Sequence, residues 1–155
     1  MAATSGDRPA TAGLGLVARI VHVNVLGDRY ALRAGDRLFA DGAVLLRRDG
    51  RRLGPAAFAC TVTAVTTRVE GTCTATLHLP LGEVTGRWPL ARSRVARVQP
   101  VTGGSGLYRG AHGRFVLEPT LPNGDTPFTV TLDRGAGRRP DGRPDRRSSP
   151  DIPAP

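Results

Sequence analysis

Apolar and polar residues alternate with a period of two along most of this chain. The cleanest example is "GTCTATLHLPL" at 71–81, where Cys73, Ala75, Leu77 and Leu79 share one face and Thr72, Thr74, Thr76 and His78 the other. Successive side chains of an extended chain point to opposite sides, so this rhythm predicts a half-buried strand. "AAFACTVTAVTT" (56–67) alternates in the same way, with Phe58, Cys60, Val62 and Ala64 together, and "TRVEG" between the two runs can close a hairpin. "LVARIVHVNV" (16–25) is rich in β-branched residues, and "AVLLRR" (43–48) leads into the tight-turn pair Asp49-Gly50. "GEVTGRWPL" (82–90), "RVARVQPV" (94–101), "GRFVLEP" (113–119) and "PFTVTL" (127–132) complete the set of strands.

No window sustains helical spacing, and Gly or Pro interrupts most of them. Eight short strands joined by turn-like segments predict an antiparallel sandwich or a closed barrel, and closure removes the exposed edges of a sheet. The expected fold is all-β: an eight-stranded antiparallel up-and-down β-barrel over 14–133. Residues 1–13 read as a flexible N-terminus. The stretch 134–155, "RGAGRRPDGRPDRRSSPDIPAP", has almost no apolar content and reads as a disordered, basic, Arg/Pro-rich tail.

Charge changes this picture little. The chain has 22 basic residues, all Arg, and a formal net charge of +9. Frequent Ala, Gly, Pro and Arg without Lys have the look of codon bias from a high-G+C genome. The arginines are scattered, six of them fall in 134–155, and no aromatic-basic cluster is present. This argues against a nucleic-acid partner, whose binding needs concentrated positive charge and stacking platforms. Two cysteines, Cys60 and Cys73, make no disulfide scaffold. The N-terminus has no apolar signal-peptide core, and no apolar run approaches the roughly 20 residues that span a bilayer. The expectation is a soluble cytoplasmic chain with no membrane partner and with free thiols; a cross-strand Cys60–Cys73 disulfide is geometrically possible, but a reducing compartment disfavours it.

One stretch departs from the two-residue rhythm. "VTGGSGLYRGAHGRFV" (101–116) places five glycines between 103 and 113. A phosphate loop needs a strand before it, a helix after it and usually a Lys-Ser/Thr pair, and none of the last two is present. A flexible linker would lack the Leu107-Tyr108 pair. The remaining reading is a compact barrel corner in which glycines take positive φ and Leu107 and Tyr108 plug the end.

"TGGSGLYRGAHG" resembles the glycine corner of the allene oxide cyclase and dirigent barrel superfamily. "GDRLFADGAVLLRRDGRRLGPAAFAC" is similar to that superfamily's second strand, turn and third strand; Gly54 and Cys60 keep the Gly-to-Cys spacing of plant allene oxide cyclases. "GEVTGRW" is similar to the strand in which a Gly (Gly86) precedes a lumen aromatic (Trp88). Residues 16–133 are covered. The resemblance implies a barrel that encloses an apolar, flexible molecule, and homo-oligomers, dimers or trimers, formed through the outer faces. It also implies, in the bacterial natural-product branch, a cofactor-independent cyclase of polyketide-type intermediates, such as a [4+2] Diels–Alderase. The alternative is a non-catalytic, dirigent-like or carrier barrel. The early His-Asp pair of dirigent proteins is absent here.

The family's Glu-x-Asn on the first strand corresponds to His22-Val23-Asn24, with His22 in place of Glu. His22 and Asn24 are therefore the candidate catalytic pair, with an outward, solvated His22 as the other reading. Trp88, Cys60, Phe58 and Val62 are the candidate substrate contacts. Cys60 either lines the lumen or packs as a small hydrophobe. Trp88 either offers its flat face to a polyene or anchors the core. Arg87 and Arg97 are expected to point outward; an inward Arg would indicate an anionic group on the substrate. No Ser-His-Asp, paired-carboxylate or metal-spaced constellation stands out, so neither metal nor cofactor is expected.

Overall fold

The computed structural model describes residues 13–91 and 94–133. The expected tails therefore lie outside the described residues, apart from Gly13. Eight strands run in order: β1 (Leu14–Leu26), β2 (Arg37–Leu46), β3 (Arg52–Val65), β4 (Val69–Leu79), β5 (Gly82–Pro89), β6 (Arg97–Gly104), β7 (Gly113–Leu117) and β8 (Thr126–Leu132). Each pairs antiparallel with the next, and β1 pairs with β8 to close the barrel. No helix of the described residues is long and apolar enough to cross a membrane.

Register lines up the inward side chains in rows around the barrel. One row is Val25–Leu38–Cys60–Cys73–Trp88, and the next is Val23–Ala40–Phe58–Ala75–Gly86–Val101. Each row mixes small residues (Cys60 and Cys73, or Ala40, Ala75 and Gly86) with an aromatic ring (Trp88 or Phe58), which gives the rings room in a narrow cylinder. Gly86 shows the need most plainly. A side chain there would run into the Pro100 carbonyl and the Phe115 ring.

β2 starts six positions earlier than expected, at Arg37 rather than 43. Its first half alternates Leu38 and Ala40 inward with exposed Arg37, Phe39 and Asp41, and contains Gly42. Gly42 sits against the Arg19 carbonyl, where a Cβ would collide with the neighbouring strand. A glycine that weakens the strand signal is thus what allows β1 and β2 to approach.

The glycine-rich stretch is a barrel corner. β6 ends at Gly104, a single 3₁₀ turn spans Gly106–Tyr108, and Gly106 and Gly110 take φ of +60° and +72°. The corner clamps the β4–β5 turn: Ser105 N donates to the Glu83 carbonyl at 3.0 Å and Leu107 N to the Leu81 carbonyl at 2.9 Å. Tyr108 packs against the core. Leu107 does not plug the barrel as expected but is 57% exposed, because its backbone, not its side chain, makes the tie to β4–β5.

The second correction concerns the cysteines. Cys60 and Cys73 are directly opposite one another on β3 and β4, both facing inward, and are joined as a disulfide rather than held as free thiols. Directly opposed residues of an antiparallel pair bring their Cβ atoms close; the hairpin reading allowed this bridge, and only the expected reducing compartment argued against it.

Candidate site at the open end of the barrel

The barrel interior is filled at one end and hollow at the other. Phe115, Phe128, Leu16, Leu77, Val44, Val62 and Val84 are the largest fully buried side chains. Trp88 lies over them with its ring centroid 5.1 Å from Phe128 and 5.5 Å from both Phe58 and Phe115, each edge-to-face. Such geometry aligns ring edges with ring faces and contributes about 0.5–1.5 kcal/mol per pair beyond burial. Above this aromatic floor is a cavity of about 700 Å³, within the range of small-molecule sites. Leu38, Ala40, Phe58, the Cys60–Cys73 disulfide, Trp88 and Leu117 form its wall. Ile20, Val21, Val23 and Val95 give its rim an exposed apolar character.

Three of the four expected substrate contacts, Phe58, Cys60 and Trp88, line this cavity. Val62 does not; it lies two residues beyond Cys60 toward the β3–β4 hairpin, buried at 1% exposure, and its carbonyl accepts from Gly35 N. Trp88 packs against the core rings and also lines the cavity. Cys60 lines it as half of a buried disulfide.

His22 and Asn24 are not in the lumen. Opposite β2, Ile20 pairs with Gly42 and His22 with Asp41, so Val21 is an extra residue in β1. Such a bulge reverses which residues face inward. Leu16 and Ala18 point inward before it, and Val23 and Val25 after it, which sends His22 and Asn24 outside. The His22 side chain is 73% exposed, with Nδ1 3.1 Å from Asp41 Oδ1. Asn24 lines a shallow outer groove with Phe39, Asp41, Thr74 and Thr76. His78 stands on the outer face of β4, its Nδ1 3.0 Å from Glu83 Oε2 on β5. Among the described residues, no group of three or more His, Cys, Asp or Glu is placed to hold a metal ion.

The ionisable groups of the cavity sit at its mouth instead: Arg19, Arg97, Glu118 and Asp125. Asp125 is held by two arms of Arg19, Nε to Oδ1 at 3.1 Å and Nη2 to Oδ2 at 2.8 Å. A planar guanidinium and a carboxylate match in this two-pronged way, which fixes orientation as well as charge. Asn123 closes the loop, donating from Nδ2 to Asp125 Oδ2 and accepting at Oδ1 from Asp125 N. The Arg19 hydrogen bonds hold the Asp125 carboxyl below the ordinary carboxylate range, against a smaller upward push from burial. Asp125 is therefore ionised at neutral pH. Glu118 pairs with Arg47 at 2.8 Å. Arg97, expected to point outward, instead lies on the inward side of β6 with Val101 and lines the mouth.

Sequence reasoning missed Arg19, Asp125 and Arg97. "PNGD" (122–125) carries a turn signal in Asn123-Gly124, but Arg19 is 106 positions away from Asp125, and only barrel closure brings β1 against the loop before β8.

No family model and no curated protein sequence matches this chain. Solved structures do match in shape. A pyocyanin demethylase superposes with a TM-score of 0.64 at 22% identity, covering 79% of this chain and 100% of that one. A pterocarpan synthase dirigent protein gives 0.61 at 12% identity, covering 78% and 83%. AbnU, an exo-specific intermolecular Diels-Alderase, gives 0.57 at 14% identity, covering 77% and 93%. These likenesses show that the chain shares its closed eight-stranded barrel fold with that dirigent protein and that Diels-Alderase, as its glycine corner implied.

Proposed function

We propose that this protein takes an apolar, flexible small molecule into the open end of its barrel and promotes ring closure there without a cofactor, as a cyclase of natural-product biosynthesis. The observation that carries the reading is the cavity of about 700 Å³, floored by Trp88 and walled by apolar side chains inside a closed barrel. A linear molecule confined there loses most of its extended conformations before reaction. Bringing two reacting ends together in this way lowers a barrier by several kcal/mol with no covalent step. Polar groups at the rim, the Arg19–Asp125 pair above all, supply a fixed field against which developing charge is stabilised. Two solved structures of similar shape are named as enzymes, a Diels-Alderase and a pyocyanin demethylase, which fits catalysis in such a barrel.

A specific observation also favours a second reading. Among the described residues, the deep wall of the cavity carries no ionisable side chain; Arg19, Arg97, Glu118 and Asp125 all lie at the mouth. Such a pocket holds a ligand without proton transfer, as a carrier or stereochemical guide does. One experiment separates the two. A linear conjugated diene tethered to an activated alkene is incubated with the protein, and ring-closed products are followed by chromatography. A cyclase raises the rate of closure, and Ala40→Phe, which fills the cavity, abolishes the effect. A carrier changes only the ratio of products. Unchanged rate and unchanged ratio, with the probe shown to be bound by quenching of Trp88, would remove both readings.

A further inference from the structure

Among the described residues, the charges at the mouth do not cancel. Arg19 is satisfied by Asp125, and Glu118 by Arg47 reaching from outside the cavity. That leaves Arg97. Among the described residues its side chain makes no hydrogen bond and no ion pair, yet it stands at the first position of β6, in register with Leu117 of the cavity wall. A guanidinium is never neutral near pH 7, and it offers a planar fork of N–H donors matched to two oxygens sharing one negative charge. Among the described residues of the same rim, the acidic groups Asp125 and Glu118 are already engaged by other arginines.

We infer that Arg97 is an anion-binding residue that selects ligands bearing an acidic oxygen group, a carboxylate or an enolate, at one end of an apolar body. This rests on the cavity being the binding site and adds the ligand's charge and its orientation. The apolar body lies toward Trp88 and the anionic end stays at the mouth, half in water. The fixed Arg19–Asp125 pair flanks that end. Its carboxylate is neutralised by Arg19, so it repels an incoming anion far less than a free Asp would.

The test uses Trp88, the single Trp of the chain, as an intrinsic reporter. Dodecanoate and 1-dodecanol, below their aggregation concentrations, are titrated into the wild-type protein and into Arg97→Gln, with fluorescence read at neutral pH. The wild type is expected to bind dodecanoate about tenfold more tightly than dodecanol, the scale of one partly hydrated charge-assisted contact. Arg97→Gln is expected to erase that preference while leaving dodecanol affinity within about twofold. An unchanged urea-unfolding midpoint of Arg97→Gln shows that the barrel is intact. Equal binding of the two ligands by the wild type, or a preference that survives Arg97→Gln, overturns the inference and leaves the cavity reading standing. If neither ligand perturbs Trp88, the cavity reading fails and this inference with it.

Discussion

At the closed end of the barrel Phe115, Phe128, Leu16, Leu77 and Val44 leave no room; at the open end Leu38, Ala40 and the Cys60–Cys73 bridge surround a hollow. Both ends belong to the same strands and obey the same alternation. What differs is side-chain volume along each strand. On β3, Ala56 packs under Leu77 at the closed end, and Cys60 stands where a larger residue would fill the lumen. Small residues beside large neighbours make a packed core; small residues facing one another make a cavity. The barrel is thus solid where the rings meet and hollow where small residues face one another.

The sharpest way to break this comparison is to remove side chains from each end. Phe115→Ala is expected to lower stability by about 3–5 kcal/mol in urea unfolding, since a fully buried ring leaves a void. Leu38→Ala at the cavity wall is expected to cost nearer 2 kcal/mol, because its neighbours on one side are already absent. Equal losses at the two sites would contradict the division. Next in size is the bridge in the cavity wall. Replacing Cys60 and Cys73 together by Ala releases a closed loop with a sequence separation of 13, worth about 3 kcal/mol by chain entropy. Reductant is then expected to lower the unfolding midpoint of the wild type but not of the double variant.

A smaller effect on stability, with a large one on binding, is expected of Ala40→Phe. Filling a hollow avoids the strain of overpacking, so the unfolding free energy is expected to stay within about 1 kcal/mol. Dodecanol binding, read from Trp88, falls by about tenfold or more, in line with loss of the buried contact area. Retained binding would place the ligand elsewhere.

The smallest effect is electrostatic. Asp125 has its folded-state affinity for protons lowered by the Arg19 hydrogen bonds. Its contribution to stability is therefore present above its unfolded value of about 3.9 and is lost as pH falls below that through the folded value. Asp125→Asn is expected to be less stable than wild type at pH 7, with the gap narrowing as pH falls below the unfolded value of about 3.9. A gap that does not narrow on acidification would mean that the carboxylate's charge is not what holds the loop.

Much of this architecture is legible in local pattern. The period-two alternation of 56–67 and 71–81 identifies two strands and their faces, since a strand's side chains must alternate whatever surrounds it. The Asp49-Gly50 pair marks a turn; Gly50 has φ of +74° and Asp49 Oδ1 accepts from Arg51 N. Three of four substrate-contact candidates reach the cavity because they lie on the more apolar face of strands with regular register. The catalytic candidates His22 and Asn24 fall outside it because a single inserted residue, Val21, reverses the facing of everything after it in β1. A β-branched run such as "RIVHVNV" looks the same with or without a bulge, so the reversal leaves no mark in the sequence.

What the chain determined by itself is the set of elements: extended strands from alternation, turns and a corner from glycines that tolerate positive φ, and an apolar face for each strand to hide. Only the tertiary structure decided the exact register of neighbouring strands and which of their side chains face the lumen. With that came the Cys60–Cys73 bridge, the meeting of Arg19 with Asp125, and the place of Arg97 at the mouth of a hollow. The reason is one of range. Alternation and turn conformation are set by neighbours a few bonds apart, whereas register, closure and empty volume depend on residues that meet only once the cylinder has formed.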